Sequence, residues 1–256
     1  MKILEIENFL KEIKPRYTEG EGFLFGDPQQ ELKGILVCWM ATIEAIKKAI
    51  KKGCNLLLCH EDPFFPGDLL QIKDEKHLLW DINQKKIKLL KENGIVVYRS
   101  HCYLDELVVT DTFTHILGLP EASVKDWIGR IHVIREVTLE ALARRIKKRM
   151  RLRYVRIIGD PSHKVRRVGI AVGGMGLSIN LPFWEDLRKY HPEVIITGEL
   201  DEYAMRYAID TGIDVIETSH SASENPGLRK FAQYLRKKLP HLKIIFYRCP
   251  LPYNYV

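Results

Sequence analysis

An α/β fold is predicted, on three observations. Short apolar runs such as Asn55–Cys59 and Val194–Thr197 alternate with segments whose apolar residues recur at helical spacing. Cap residues stand at the joins, Thr42 and Thr138 ahead of helical segments and Gly53 and Gly94 behind them. After Pro120 the character changes, and the second half then echoes the first in element order. The boundary falls near 125, giving domains of 1–125 and 126–256.

The elements follow in order. Ile6, Phe9, Leu10 and Ile13 mark a first helix that ends before Pro15. Gly34–Trp39 reads as a strand, and Thr42 caps a helix bearing Ile43, Ile46 and Ile50. The strand Asn55–Cys59 leads into a loop with Pro63 and Pro66, and a long helix is expected from Asp74 to Asn93. The strand Ile95–Arg99 completes a βαβ unit. Beyond the boundary, Arg130–Val137 reads as a strand and a basic helix follows Thr138. Strands at Arg153–Ile158 and Val168–Val172 flank the turn Gly159-Asp160-Pro161-Ser162. Alternation then resumes: helix Leu181–Tyr190, strand Val194–Thr197, helix Asp201–Thr211, strand Ile213–Thr218, helix Asn225–Leu239 and strand Leu242–Phe246.

Composition excludes several classes. The chain is 46% hydrophobic and 29% charged, ordinary for a globular protein. No apolar run approaches the roughly 20 residues of a membrane span, and the start lacks a signal-peptide pattern. Five scattered cysteines without a CxxC argue against a disulfide framework and a zinc knuckle, and fit a cytoplasmic protein. The net charge of +7 sits largely in Arg144–Arg153. No aromatics interleave that run, so it reads as the solvated face of a helix and nucleic acid is disfavoured as a partner.

The chemistry gathers at strand ends, where open α/β sheets bind ligands. His60-Glu61-Asp62, His101 through Asp105, Gly173-Gly174-Met175-Gly176, Gly198-Glu199 and His220 through Glu224 each follow an expected strand. His220 and Glu224 share one face of a first helical turn, and histidine with carboxylate is ligand chemistry for a borderline divalent metal. The glycine run does not fit a dinucleotide loop, and reads as a tight turn or an anion-binding nest. Glu199 is equally open to three roles: ligand, general base or helix cap. His77, His163, His191 and His241 read as ordinary surface or satisfied imidazoles, and Cys102 as an inert thiol.

Four segments together resemble one family. Leu58-Cys-His-Glu-Asp-Pro-Phe-Phe65, Tyr98-Arg-Ser-His-Cys-Tyr-Leu-Asp105, Ile195-Ile-Thr-Gly-Glu199 and Ser219-His-Ser-Ala-Ser-Glu224 are similar in order and spacing to motifs of the Nif-three-like family, the GTP cyclohydrolase 1 type 2 homologues. The resemblance implies two linked α/β domains of similar topology with a dinuclear metal site in the cleft between them. It implies that the C-terminal part of the second domain returns to that cleft, and that the chain forms a homohexamer. By position, His60, Asp105, His220 and Glu224 become the metal ligands, with Glu61 where the family often has a second histidine. Cys102-Tyr103 in place of Thr-Asn, and Met40 in place of Asp, are further departures.

The expected function is a metal-dependent hydrolase using one or two Zn, Mn or Fe ions per chain, acting on a nucleotide-like or small phosphorylated substrate. Glu224 would bridge the ions, and Glu61 or Glu199 would take the proton from water. The alternative is a non-catalytic metal-binding adaptor or metal chaperone.

Overall fold

The structure is a computed structural model that describes residues 1–13, 20–67, 75–126 and 129–254. Helix α1 (Glu5–Ile13) buries Ile6 and Leu10, as its spacing predicts; Pro15 lies outside the described residues. Strand β1 (Gly22–Phe25) was not expected, because four residues with an irregular burial pattern carry no periodic signal. Strand β2 (Ile35–Cys38) is wholly buried and leads to α2 (Ile43–Lys52). Thr42 accepts from the Ala45 amide at the start of α2, and Gly53 ends it in the left-handed region at φ 66°. Strand β3 (Leu56–Cys59) follows.

The long helix expected over 74–93 is broken. Asp74 lies outside the described residues, Glu75–Leu79 forms a 3-10 turn, and α3 runs Asp81–Glu92 behind an extended Trp80. Two buried polar side chains of α3 hold the loop that follows β3. Asn83 accepts from the Phe65 amide and donates to the Phe65 and His77 carbonyls, while Lys86 Nζ donates to the Pro63 carbonyl at 2.6 Å. Strand β4 (Val96–Arg99) leads to the short helix α4 (Cys102–Leu104), a π turn at Asp105–Val109 and α5 (Thr110–Leu117).

Strands β5 (Ala122–Lys125) and β6 (Arg130–Thr138) precede α6 (Leu139–Met150), which Thr138 caps as expected. Strands β7 (Arg156–Ile158) and β8 (Lys164–Ala171) flank the predicted turn, where the Ser162 amide donates to Asp160. Two 3-10 turns, Gly173–Gly176 and Ser178–Asn180, lead into α7 (Leu181–Arg188). Then come β9 (Val194–Thr197), α8 (Glu202–Thr211) capped by Asp201, and β10 (Asp214–Glu217). The last elements are α9 (His220–Lys238) and β11 (Ile244–Tyr247). Helix α9 begins at His220, not Asn225: Asn225-Pro226 imitates a helix start, yet Pro226 lies inside the helix.

The chain forms two compact units, Met1–Val108 with Leu228–Cys249, and Val109–Gly227 with Pro250–Val256. This differs from a division at 125 in two ways. Helix α5 joins the second unit, where the Arg149 side chain of α6 donates to the Ile116 carbonyl. Strand β11, expected in the second domain, pairs in parallel with β2 of the first sheet, Ile244 opposite Ile35. A pairing across so much sequence leaves no local trace.

The first sheet has the order β1-β4-β3-β2-β11, parallel except for β1. Its core joins Leu36, Leu57 and Val97 of the strands to Ile46, Ala49 and Leu90 of the helices. The second sheet runs β5-β6-β8-β9-β10-β7, with β8, β9 and β10 parallel. Trp184, Leu187, Ala204 and Ala208 cover it from α7 and α8. In each unit the carboxyl ends of the parallel strands carry the clusters read from the sequence.

Candidate metal centre

In the first unit His60 stands at the end of β3, wholly buried. Its Nδ1 lies 3.0 Å from the Ser100 carbonyl, which can only accept, so Nδ1 carries the proton. Its Nε2 then faces Asp105 Oδ1 at 3.3 Å. Asp105 is buried too, and among the described residues its Oδ1 accepts no hydrogen bond. A neutral imidazole and a carboxylate facing at that distance are brought together by a proton or a metal cation between them. An outer nitrogen fixed by a carbonyl, with the inner one turned to a carboxylate, is the arrangement of metal-binding histidines.

His101 completes this cluster. Its ring lies 4.6 Å from that of His60 between centroids, and the ligand atoms of His60, His101 and Asp105 all fall within 4.8 Å of one another. By its place after a strand the sequence grouped His101 with His60 and His220 as a site histidine, without naming it a ligand. Glu61 lies beside it, Oε1 at 3.4 Å from His101 Nε2. Burial pushes the His101 imidazole down, but the facing Glu61, together with Cys102 and Asp105, holds it well above its ordinary value. Cys102 Sγ lies 3.5 Å from His101 Nδ1. The Glu21 carboxylate accepts from the His101 and Tyr103 amides and so caps α4, a contact across 80 residues that no motif announces.

The second unit repeats the arrangement. His220 and Glu224 lie one turn apart on α9, with Nε2 3.2 Å from Oε1. Glu199 Oε2 accepts from His220 Nδ1 at 2.8 Å, so Nε2 again faces a carboxylate. Glu224 is 2% exposed. Of the three roles open to Glu199, capping α8 falls to Asp201, whose Oδ1 accepts from the Ala204 amide.

The glycine run forms the wall behind this pair. The Gly173 amide donates to Ser223 Oγ and its carbonyl accepts from the Glu199 amide, so both groups are engaged within the protein, and the run forms the tight turn expected. Gly173 adopts φ 60°, and a Cβ there would lie 1.8 Å from Glu224 Oε1. At Gly198 a Cβ would meet the Gly173 carbonyl at 2.5 Å and Ser223 Oγ at 2.7 Å. These close approaches bring the β8 and β9 loops against the first turn of α9. The donors in both units, imidazole nitrogen and carboxylate oxygen, suit Zn, Mn or Fe, so the residues present fit a divalent ion.

Comparison with known proteins agrees with the motifs. Residues 1–251 match the Duf34/NIF3 (NGG1p interacting factor 3) family. The chain is 25% identical over 260 residues to a GTP cyclohydrolase 1 type 2 homolog of Clostridium acetobutylicum, covering 95% of this chain and 93% of that one. A protein of the same description from Clostridium perfringens is 27% identical over 254 residues, covering 93% of each. The crystal structure of Staphylococcus aureus protein SA1388 superposes with a TM-score of 0.82 at 18% identity, over 100% of this chain and 99% of the other, a likeness of fold. With the profile spanning almost the whole sequence and the fold shared end to end, this chain belongs to the DUF34/NIF3 family.

Proposed function

We propose that the protein is a metal-dependent hydrolase of nucleotide-like or small phosphorylated substrates. It would hold one or two Zn, Mn or Fe ions, with His60, His101 and Asp105 of the first unit and His220 and Glu224 of the second as the ligands. The observation that carries this reading is the clustering of ligand atoms: each of two imidazoles has its Nδ1 held from behind and its Nε2 3.2–3.3 Å from a buried carboxylate, and His60, His101 and Asp105 bring their ligand atoms within 4.8 Å of one another. The description shared by the relatives, GTP cyclohydrolase 1 type 2 homolog, supports a nucleotide, and the net charge of +7 favours an anionic substrate.

A divalent ion supplies Lewis acidity and makes water a stronger acid. The chain's own residues supply positioning and proton transfer. The Ser100 carbonyl holds His60 and the Glu199 carboxylate holds His220, each in the tautomer that presents Nε2. Glu61 beside His101 and Glu199 behind His220 are the two carboxylates that would accept the proton from water.

The test is elemental analysis of protein purified without tags or chelators, followed by a nucleotide hydrolysis screen. One or two ions per chain are expected, lost in the His220→Ala/Glu224→Ala double variant while the circular dichroism spectrum is retained. No ion after soaking with Zn, Mn and Fe sinks the metal reading. A loaded protein that turns over no substrate in the screen supports the adaptor or chaperone role instead.

A further inference from the structure

The second unit holds a cavity of about 370 Å³ between the β5–β6 end of its sheet and α7. Val124 and Ile131 line it from the two strands, and Phe183 and Leu187 from the helix. Met175 closes it from the 3-10 turn that follows β8. The volume is within the range of small-molecule sites, and a mostly apolar lining with a few polar groups is their usual character. The walls are fixed by hydrogen bonds. Trp184, wholly buried, donates from Nε1 to the Met175 carbonyl at 2.8 Å, and Asn180 Nδ2 donates to the Gly174 carbonyl at 2.9 Å. Gly129 keeps space beside β6: a Cβ there would lie 3.0 Å from Leu187 Cδ2 and 3.6 Å from Phe183 Cε2.

Three properties define the occupant. Phe183 is half-buried, and among the described residues no aromatic ring or cation is stacked on it. A planar molecule can therefore pack against that ring. The charged residues lining the cavity are both acidic, Asp126 and Asp186; Lys189 pairs with Asp186 at 2.5 Å without lining the space. A carboxylate or phosphate would lose its water there and meet like charge. Finally, Asn180 lines the cavity with its Nδ2 engaged by the Gly174 carbonyl, so its Oδ1 is the atom it offers to a ligand, an acceptor for an N–H.

We infer that this cavity binds an uncharged planar molecule of one or two fused aromatic rings bearing a ring N–H. Its face packs against Phe183 and the Met175 thioether, and its N–H is directed to Asn180. The acidic lining sets this ligand apart from the anionic substrate of the hydrolase reading. Its binding rests neither on that reading nor on the metal ligands.

The experiment is an NMR titration of the full chain, isotopically labelled at its methionine methyl groups, with indole as the probe. Of Met1, Met40, Met150, Met175 and Met205, only Met175 lines the cavity. Its methyl signal, identified by its disappearance in Met175→Leu, should shift to saturation under the ring current of bound indole while the other four stay in place. Phe183→Ala should weaken binding about fivefold or more. Val124→Phe fills the space from an edge strand and should abolish the shift, which decides the matter even if the alanine variant does not fold. Benzofuran, of the same shape without the N–H, should bind about threefold or more weakly, and indole-3-acetate about tenfold or more weakly. A Met175 signal that does not move, a shift centred on another methionine, or undiminished binding in Val124→Phe would each overturn the site. Equal affinity for benzofuran or for indole-3-acetate would overturn the ligand class.

Discussion

Glu199 shows how one hydrogen bond can define a residue that sequence leaves open among several roles. Its carboxylate accepts from His220 Nδ1 and so decides which nitrogen faces Glu224. Replacing Glu199 with Ala should lower metal affinity about 10–100-fold, the usual cost of losing such a partner. Glu199→Gln should lose less, because its amide oxygen still accepts the same proton. Chelator competition checks both, and equal affinity in all three proteins would remove Glu199 from the positioning of His220. Gly173 makes a second residue-scale case. A methyl group there would collide with Glu224 Oε1, at a φ that disfavours any side chain. Gly173→Ala should lower stability by at least about 1 kcal/mol and reduce bound metal, read from the urea midpoint and elemental analysis. An unchanged midpoint would mean that the β8 loop can shift away from α9.

At the scale of elements, α3 acts as the clamp for the loop that begins at His60. Lys86 is 1% exposed, and its ammonium faces the Pro63 carbonyl and the Phe65 ring, 4.2 Å from the centroid. Burial pushes its pKa down to about 8, against the opposing pull of Cys59, Asp62 and Glu44. Below that value the lysine is charged in both folded and unfolded chains, and the cost of burying the charge is fully present. As pH rises from about 8 toward the ordinary lysine value, the folded form sheds its proton first and the unfolded chain binds more protons. Lys86 therefore makes stability rise with pH across that window. Lys86→Met should abolish this slope, checked by urea unfolding at neutral pH and at about pH 10; a slope that survives would assign it to other groups. Elements with local signals were legible, as the caps Thr42, Thr138 and Gly53 show. The edge strands β1 and β5 were not, since four residues pairing at a sheet edge need no apolar run.

For the whole molecule, the basic stretch 144–153 is the largest charge feature in the sequence. Part of it is spent internally: Arg149 donates to the Ile116 carbonyl, Arg144 pairs with Glu140, and Lys147 and Arg153 flank Tyr154. The helix also buries Leu139, Leu142, Ala143 and Ile146 along one face, which accounts for charge on the other. Reversing Arg145 and Lys148 to Glu should leave affinity for duplex DNA unchanged in fluorescence anisotropy. A loss of binding together with a steep salt dependence would make α6 a nucleic-acid surface after all. No helix among the described residues is long and apolar enough to cross a membrane.

By itself the sequence determined the α/β class, most element positions, the strand-end clusters and the family, because each rests on local periodicity, local caps or motifs of a few adjacent residues. It placed His60, Glu61, Asp105, Glu199, His220 and Glu224 at strand ends. Only the tertiary structure decided which atoms meet: Ser100 behind His60, His101 beside Asp105, and Glu199 behind His220. It alone decided that β11 returns to the first sheet and that Gly173 must lack a side chain. These depend on contacts between residues far apart in the chain, and on distances of a few ångströms that spacing along a sequence does not encode.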